Sequence, residues 1–205
     1  MINPALRILL VINLAILGGI VARPAVLLLR QPVQPDAAKP AVDNAELARM
    51  YEEDQADRKP AGGKSIDWSV VNSRDKAREK RAKEIYQSDG LRTGADYYHV
   101  AMILQHAELA EDYLLAHELC IVAIAKGEEN AKWLAAATED RFLMNIGRPQ
   151  RFATQYRSDG PNAEFKLYTV GPGVTDELRR ALNVPTLAKA KEREAAFNQK
   201  PKSKQ

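Results

Sequence analysis

From Thr93 to Ile146, apolar residues recur three and four positions apart in three successive blocks. Tyr97, Val100, Ala101, Leu104 and Ala107 form the first stripe; Leu114, Leu115, Leu119, Val122 and Ala123 the second; Trp133, Leu134, Ala137, Phe142 and Leu143 the third. Residues at that spacing share one face of a helix, so each block predicts an amphipathic helix. Thr93 and Asn130 stand where N-caps are wanted, and Lys126-Gly127 and Gly147 where helices stop. Glu108 to Asp112 reads as a joint. Helices separated by such short joints pack as antiparallel neighbours. The expected fold class is therefore mainly α, built from antiparallel helical hairpins.

The flanks add smaller elements. Asp43 or Asn44 can cap a helix reaching roughly Arg58, and a charged helix comes next from about Val70 to Ser88 with a thin stripe of Val71, Ala77, Ala82 and Ile85. After Gly147 the pattern changes. Arg151 to Arg157 alternates imperfectly, Glu164 to Val170 carries Phe165, Leu167, Tyr168 and Val170, and the turn formers Ser158-Asp159-Gly160-Pro161-Asn162 lie between. This predicts a small C-terminal β-hairpin near 151–170. Thr175 opens a short helix that stops near Asn183, and Pro185 starts another through about Phe197.

The amino-terminal end has a different character. Ile8 to Ala22 is apolar apart from Asn13, and Ala25 to Leu29 extends the run past Arg23-Pro24. The first stretch alone is short for a bilayer span of about 20 residues, but the two together reach it, with Arg23 near one end able to extend its charge to the interface. Signal peptidase needs small residues at the last and third-last positions; Ile20 and Arg23 occupy the third-last place for the two candidate ends. An uncleaved signal-anchor over 1–30 is the expectation. Pro32, Pro35 and Pro40 make 31–42 a semi-rigid extended linker. The helical domain is assigned to 43–187 and a basic tail to 188–205. Arginines flank the anchor on both sides, so charge does not orient it; the domain is expected outside the cytoplasm, at the cell membrane, because an N-terminal anchor commonly exports the chain behind it.

Charge and cysteine content exclude some functions. The chain carries +3, of which Lys189–Gln205 supplies +4, leaving a nearly neutral body. A nucleic-acid-binding body needs a basic face, so no nucleic-acid partner is expected. Cys120 is the single cysteine, set in Leu119-Cys120-Ile121-Val122, and is expected to act as a small buried hydrophobe. There is no glycine-rich phosphate loop, and no cofactor is expected.

Candidate chemistry gathers in two places. His99, His106 and His117 would share one face if their helix were continuous, which would favour a metal; the joint at Glu108 to Asp112 argues against continuity. The second place is the string Gly147-Arg148-Pro149-Gln150-Arg151-Phe152-Ala153-Thr154-Gln155-Tyr156, which comes after Asp140-Arg141. Its amides and hydroxyl could line a pocket with His106, Asp140 and Arg141, with Arg141, Arg148, Thr154 and Tyr156 as binding residues. The alternative is that Gln150 and Gln155 satisfy backbone groups at a helix-to-hairpin junction.

That string resembles an uncharacterised bacterial family carrying Gly-basic-Pro-Gln-x-aromatic-Gly-Thr-Gln. Gln105-His106, Glu111-Asp112-Tyr113 and Trp133-Leu134-Ala135-Ala136-Ala137-Thr138 match it as well, so the resemblance spans roughly Asp43 to Leu187. Ala153 stands where that family has glycine. The helices on either side of Gly127 are also similar to hairpins of the tetratricopeptide and Sel1 type. Neither resemblance implies an activity.

Two functions compete. The first is a membrane-tethered binding or scaffold domain for a protein or peptide partner. The second is a hydrolase-like enzyme in which His106 and Asp140 supply acid–base chemistry while Gln150 and Gln155 hold an oxyanion. The second requires those four side chains to converge.

Overall fold

The computed structural model of the chain describes residues 41–59, 65–160 and 163–199, all within the unit 40–205. The anchor expected over 1–30, and nearly all of the linker, lie outside the described residues. Among those residues, no helix is long and apolar enough to cross a membrane.

Asn44 starts the first helix, α1 (Ala45–Asp57), by accepting from the Glu46 and Leu47 amides. Asp67 does the same for α2 (Trp68–Gln87) through Ser69 and Val70. Thr93 opens α3 (Gly94–Leu104) with a capping box, its hydroxyl accepting from the Asp96 amide while the Asp96 carboxylate accepts from the Thr93 amide. Asp96 also accepts from the Asn44 and Arg92 amides at 2.7 and 2.8 Å, so one buried carboxylate fastens the start of α1 to the start of α3. Gly94 lies so close to the turn at Glu128 that a Cβ there would sit 3.0 Å from Glu128 Cβ.

The helices α4 (Ala110–Ala125) and α5 (Ala131–Asn145) complete an α3–α4–α5 stack, joined by short turns. Asn130 does not cap α5 through its side chain; Glu128 accepts from both its amide and its Nδ2 instead. Leu47 and Met50 of α1, Ala82 and Ile85 of α2, and the inner faces of α3, α4 and α5 form the main core. Cys120 is fully buried there, and burial pushes its thiol up to about 12. Leu114 and Trp133, read as core from their stripes, are exposed, while their neighbours Leu115 and Leu134 turn inward.

The expected hairpin is present but small. Strand β1 (Tyr156–Arg157) pairs antiparallel with β2 (Lys166–Leu167), with Tyr156 opposite Leu167 and Arg157 opposite Lys166. Residues 151–155 are not strand, because their amides turn inward around the Asp140 and Gln150 side chains. Two helices complete the unit, α6 (Asp176–Ala181) and α7 (Leu187–Phe197). The segment assigned to a basic tail begins inside the folded unit: Ala190 is buried, the Tyr156 hydroxyl donates to its carbonyl at 2.9 Å, and Asn198 exchanges hydrogen bonds with the Phe165 backbone. A second, smaller core of Ala136, Phe152 and Val184 joins α5 to this C-terminal part. Among the described residues the class is thus mainly helical with one two-stranded antiparallel sheet.

Candidate functional site

The C-terminal half of α5 and the loop after it hold most of the residues singled out from sequence. Gly147 adopts φ +72°, turning the chain out of α5 so that the Arg148 amide reaches back to the Leu143 carbonyl at 2.8 Å. The loop then curls around Asp140, which is fully buried. Oδ1 accepts from the Arg151 and Phe152 amides at 2.7 and 2.9 Å; Oδ2 accepts from the Thr154 amide and hydroxyl at 3.0 and 2.7 Å. Ala153 makes the curl possible by taking φ +64°, the conformation for which glycine is best suited. Burial pushes the Asp140 carboxyl above its ordinary value, and these four hydrogen bonds oppose it.

The outer side of the same loop is held from α6. The buried Arg179 donates to the carbonyls of Arg151 (2.9 Å), Phe152 (3.4 Å) and Val174 (2.7 Å). Gln150, also fully buried, behaves as an inserted peptide unit. Its Nε2 donates to the carbonyls of Gln155 and Tyr168 at 3.0 and 2.7 Å, and its Oε1 accepts from the Gln155 amide at 2.9 Å. Gln155 Nε2 in turn donates to Thr154 Oγ1 and to the Ala137 carbonyl. Asp140, Gln150, Thr154 and Gln155 therefore do come together, as the brace of a helix-to-hairpin junction. Tyr156 is engaged with α7, and Arg148 is exposed.

His106 belongs to a different group. It lies in the turn between α3 and α4 with Nε2 3.6 Å from Asp54 Oδ2 of α1, and that nitrogen is buried without a hydrogen bond. None of the described hydrogen bonds or ion pairs joins it to Asp140, Gln150 or Gln155. The other two histidines are separate again. His99 stacks on Tyr51 at 4.6 Å between ring centroids, and His117 Nδ1 contacts the Ala135 carbonyl at 2.9 Å. The turn between α3 and α4 breaks the single face on which all three would have met. Among the described residues no three His, Cys, Asp or Glu side chains are grouped as metal ligands.

Sequence reasoning missed a charged cluster between α1 and α2. Asp54, Asp57 and Asp75 enclose Arg58 and Arg78. Arg58 reaches Asp54 and Asp75 at 2.8 and 2.6 Å; Arg78 reaches Asp57 and Asp75 at 2.9 and 2.6 Å. Burial opposes ionisation of Asp57 and Asp75, but the arginines outweigh it and hold both carboxyls below their ordinary values. The available signal was Arg78, which falls on the same helix stripe as Val71, Ala82 and Ile85 and is buried where Ala77 was expected.

Beside this cluster a cleft of about 700 Å³ runs between α2 and the α3–α4 turn. Asp75, Lys76, Glu79, Lys80 and Lys83 line one side, with His106, Glu108 and Leu109 on the other. A smaller cavity of about 200 Å³ is bounded by Tyr113, Arg141, Met144, Asn145 and Gln155. Comparison of the chain with family models, curated proteins and solved structures finds no match.

Proposed function

We propose that this protein is a binding domain held at a membrane by residues 1–30 through the linker 31–42, on the outer side, and that a protein or peptide docks in the cleft between α2 and the α3–α4 turn. The observation that carries this reading is the chemistry of the cleft. Both signs of charge alternate along one α2 face, Asp75, Lys76, Glu79 and Lys80, and Leu109 lies exposed at the rim. Such a surface suits a mixed-charge polypeptide, whose pairing depends on register. The junction around Asp140 supports the same reading by its chemistry: Asp140, Gln150 and Gln155 bond to backbone and to Thr154, in the pattern of a structural brace.

Affinity capture with the full chain in detergent tests it. Lys76 and Lys80 are exposed, so Lys76→Glu with Lys80→Glu leaves the fold intact. A partner recovered by the wild-type chain should be lost by the double variant and kept by Arg148→Glu. Recovery that is the same in all three chains, or no recovery above background, counts against the cleft. A carboxyl-terminal reporter tests the orientation independently.

A further inference from the structure

Arg141 is half-buried and differs from the arginines that the fold engages. Arg58, Arg78 and Arg179 each hold two or more oxygen partners within the fold. Among the described residues Arg141 forms no hydrogen bond and no ion pair, and its Nε is shielded from solvent with no partner. Asp140, its neighbour in sequence, faces the other way into the 151–154 loop. The charges that bear on Arg141 do not neutralise it either: burial lowers its affinity for a proton, Tyr113 favours the cation and Arg58 opposes it. A guanidinium keeps its charge in proteins, so a half-buried one without a counter-ion has its full donor set open to an anion.

The cavity beside it supplies complementary groups. Asn145 donates one amide hydrogen to the Glu108 carbonyl at 3.1 Å and keeps the second; Met144 provides an apolar wall. We infer that the Arg141 cavity is a carboxylate-binding site, in which the guanidinium grips both carboxylate oxygens and Asn145 gives a third donor. Three features favour a carboxylate over a phosphate. One unneutralised positive charge matches one negative charge, the planar fork of arginine matches a planar carboxylate, and a wall of Met144 suits the carbon next to it. The cavity adjoins the α2 cleft at Glu108, whose carbonyl holds Asn145, but shares no lining residue with it, and the assignment does not rest on the proposed docking.

The test is thermal unfolding of the full chain in detergent, titrated with sodium acetate against sodium chloride at constant ionic strength. Acetate should raise the midpoint saturably, Arg148→Met should keep the response, and Arg141→Met should abolish it. Because Arg141 has no partner to lose, Arg141→Met should unfold at the same temperature as the wild type or higher. A response equal to chloride, or one that survives in Arg141→Met, overturns the assignment. So does a clear loss of stability in that variant, which would show that Arg141 is paired within the chain. Inorganic phosphate acting at lower concentration than acetate also overturns it. Trialanine and its C-terminal amide identify the source within the carboxylate class: a peptide end if the acid is stronger than acetate and the amide is inert, a small free acid if acetate is the stronger.

Discussion

Asp140 and Arg179 hold opposite faces of one loop: the carboxylate collects the amides of Arg151, Phe152 and Thr154, and the guanidinium collects the carbonyls of Arg151 and Phe152. The two side chains come from helices far apart in sequence, α5 and α6, and meet no hydrogen-bond partner in each other. Removing either leaves buried backbone groups of the same segment unsatisfied. Asp140→Asn keeps the shape but turns an amide NH₂ toward amide donors, and should destabilise the fold by about 3 kcal/mol; Arg179→Met should cost about 2 kcal/mol. Since both act on one loop, urea denaturation of the double variant should show a loss smaller than the sum of the two, by more than about 0.5 kcal/mol. Additive losses would mean that the loop is not the shared element.

Ala153 supplies the bend between those anchors. At φ +64° an alanine is strained by contact between its Cβ and the backbone, a penalty of about 1–2 kcal/mol, part of which glycine returns as unfolded-state entropy. Ala153→Gly should therefore raise stability by up to about 1 kcal/mol, read as a higher urea midpoint with an unchanged slope. Ala153→Val should lower it.

What could be read from the sequence divides along the range of the interactions. Asn44 and Thr93 cap helices by bonding to amides two and three residues away; local pattern singled out Thr93 and narrowed the first cap to Asp43 or Asn44. The three stripes gave α3, α4 and α5, but not which of two adjacent apolar residues points inward. Leu114-Leu115 and Trp133-Leu134 are each one step apart on a helix, and only packing decides between them. The Gly147-to-Tyr156 string stands out in the sequence. Its partners lie as far away as α6, so its role as a brace, and its failure to form strand, needed the tertiary structure. The Asp54–Arg58–Asp75–Arg78 group showed in sequence only through the place of Arg78 on the α2 stripe; its other members look like the ordinary solvated charges of two surface helices.

Arg78 gives that group a direct test. Its guanidinium is 7% exposed and lies against Asp57, Asp75 and, at 3.8 Å, Asp54. Arg78→Met keeps the length and apolar stem but removes the cation shared by Asp57 and Asp75, leaving Arg74 on the first and Arg58 on the second. The expected loss is about 3–5 kcal/mol, in the range for breaking one side of a buried ion pair. Adding Asp57→Asn and Asp75→Asn to Arg78→Met should recover part of it. Unfolding in urea at low and high salt separates this from surface effects, because shielded pairs respond weakly to ionic strength.

His99 predicts how the fold responds to acid. Its ring stacks on Tyr51 and its Nδ1 is buried without a partner, so burial lowers its affinity for a proton in the folded state. The unfolded chain then binds more protons than the native one below the ordinary histidine value of about 6.5. Stability that depends on neutral His99 is complete above that value and falls as pH drops from it toward the lowered folded value, by at most about 1.4 kcal/mol per pH unit. His99→Phe keeps a ring against Tyr51 and removes the titration. Urea midpoints measured between about pH 8 and pH 5 should decline for the wild-type chain from about pH 6.5 downward, and decline less for His99→Phe. His117→Gln should leave the wild-type decline in place. If His99→Phe tracks the wild-type curve throughout, the acid sensitivity comes from elsewhere in the molecule.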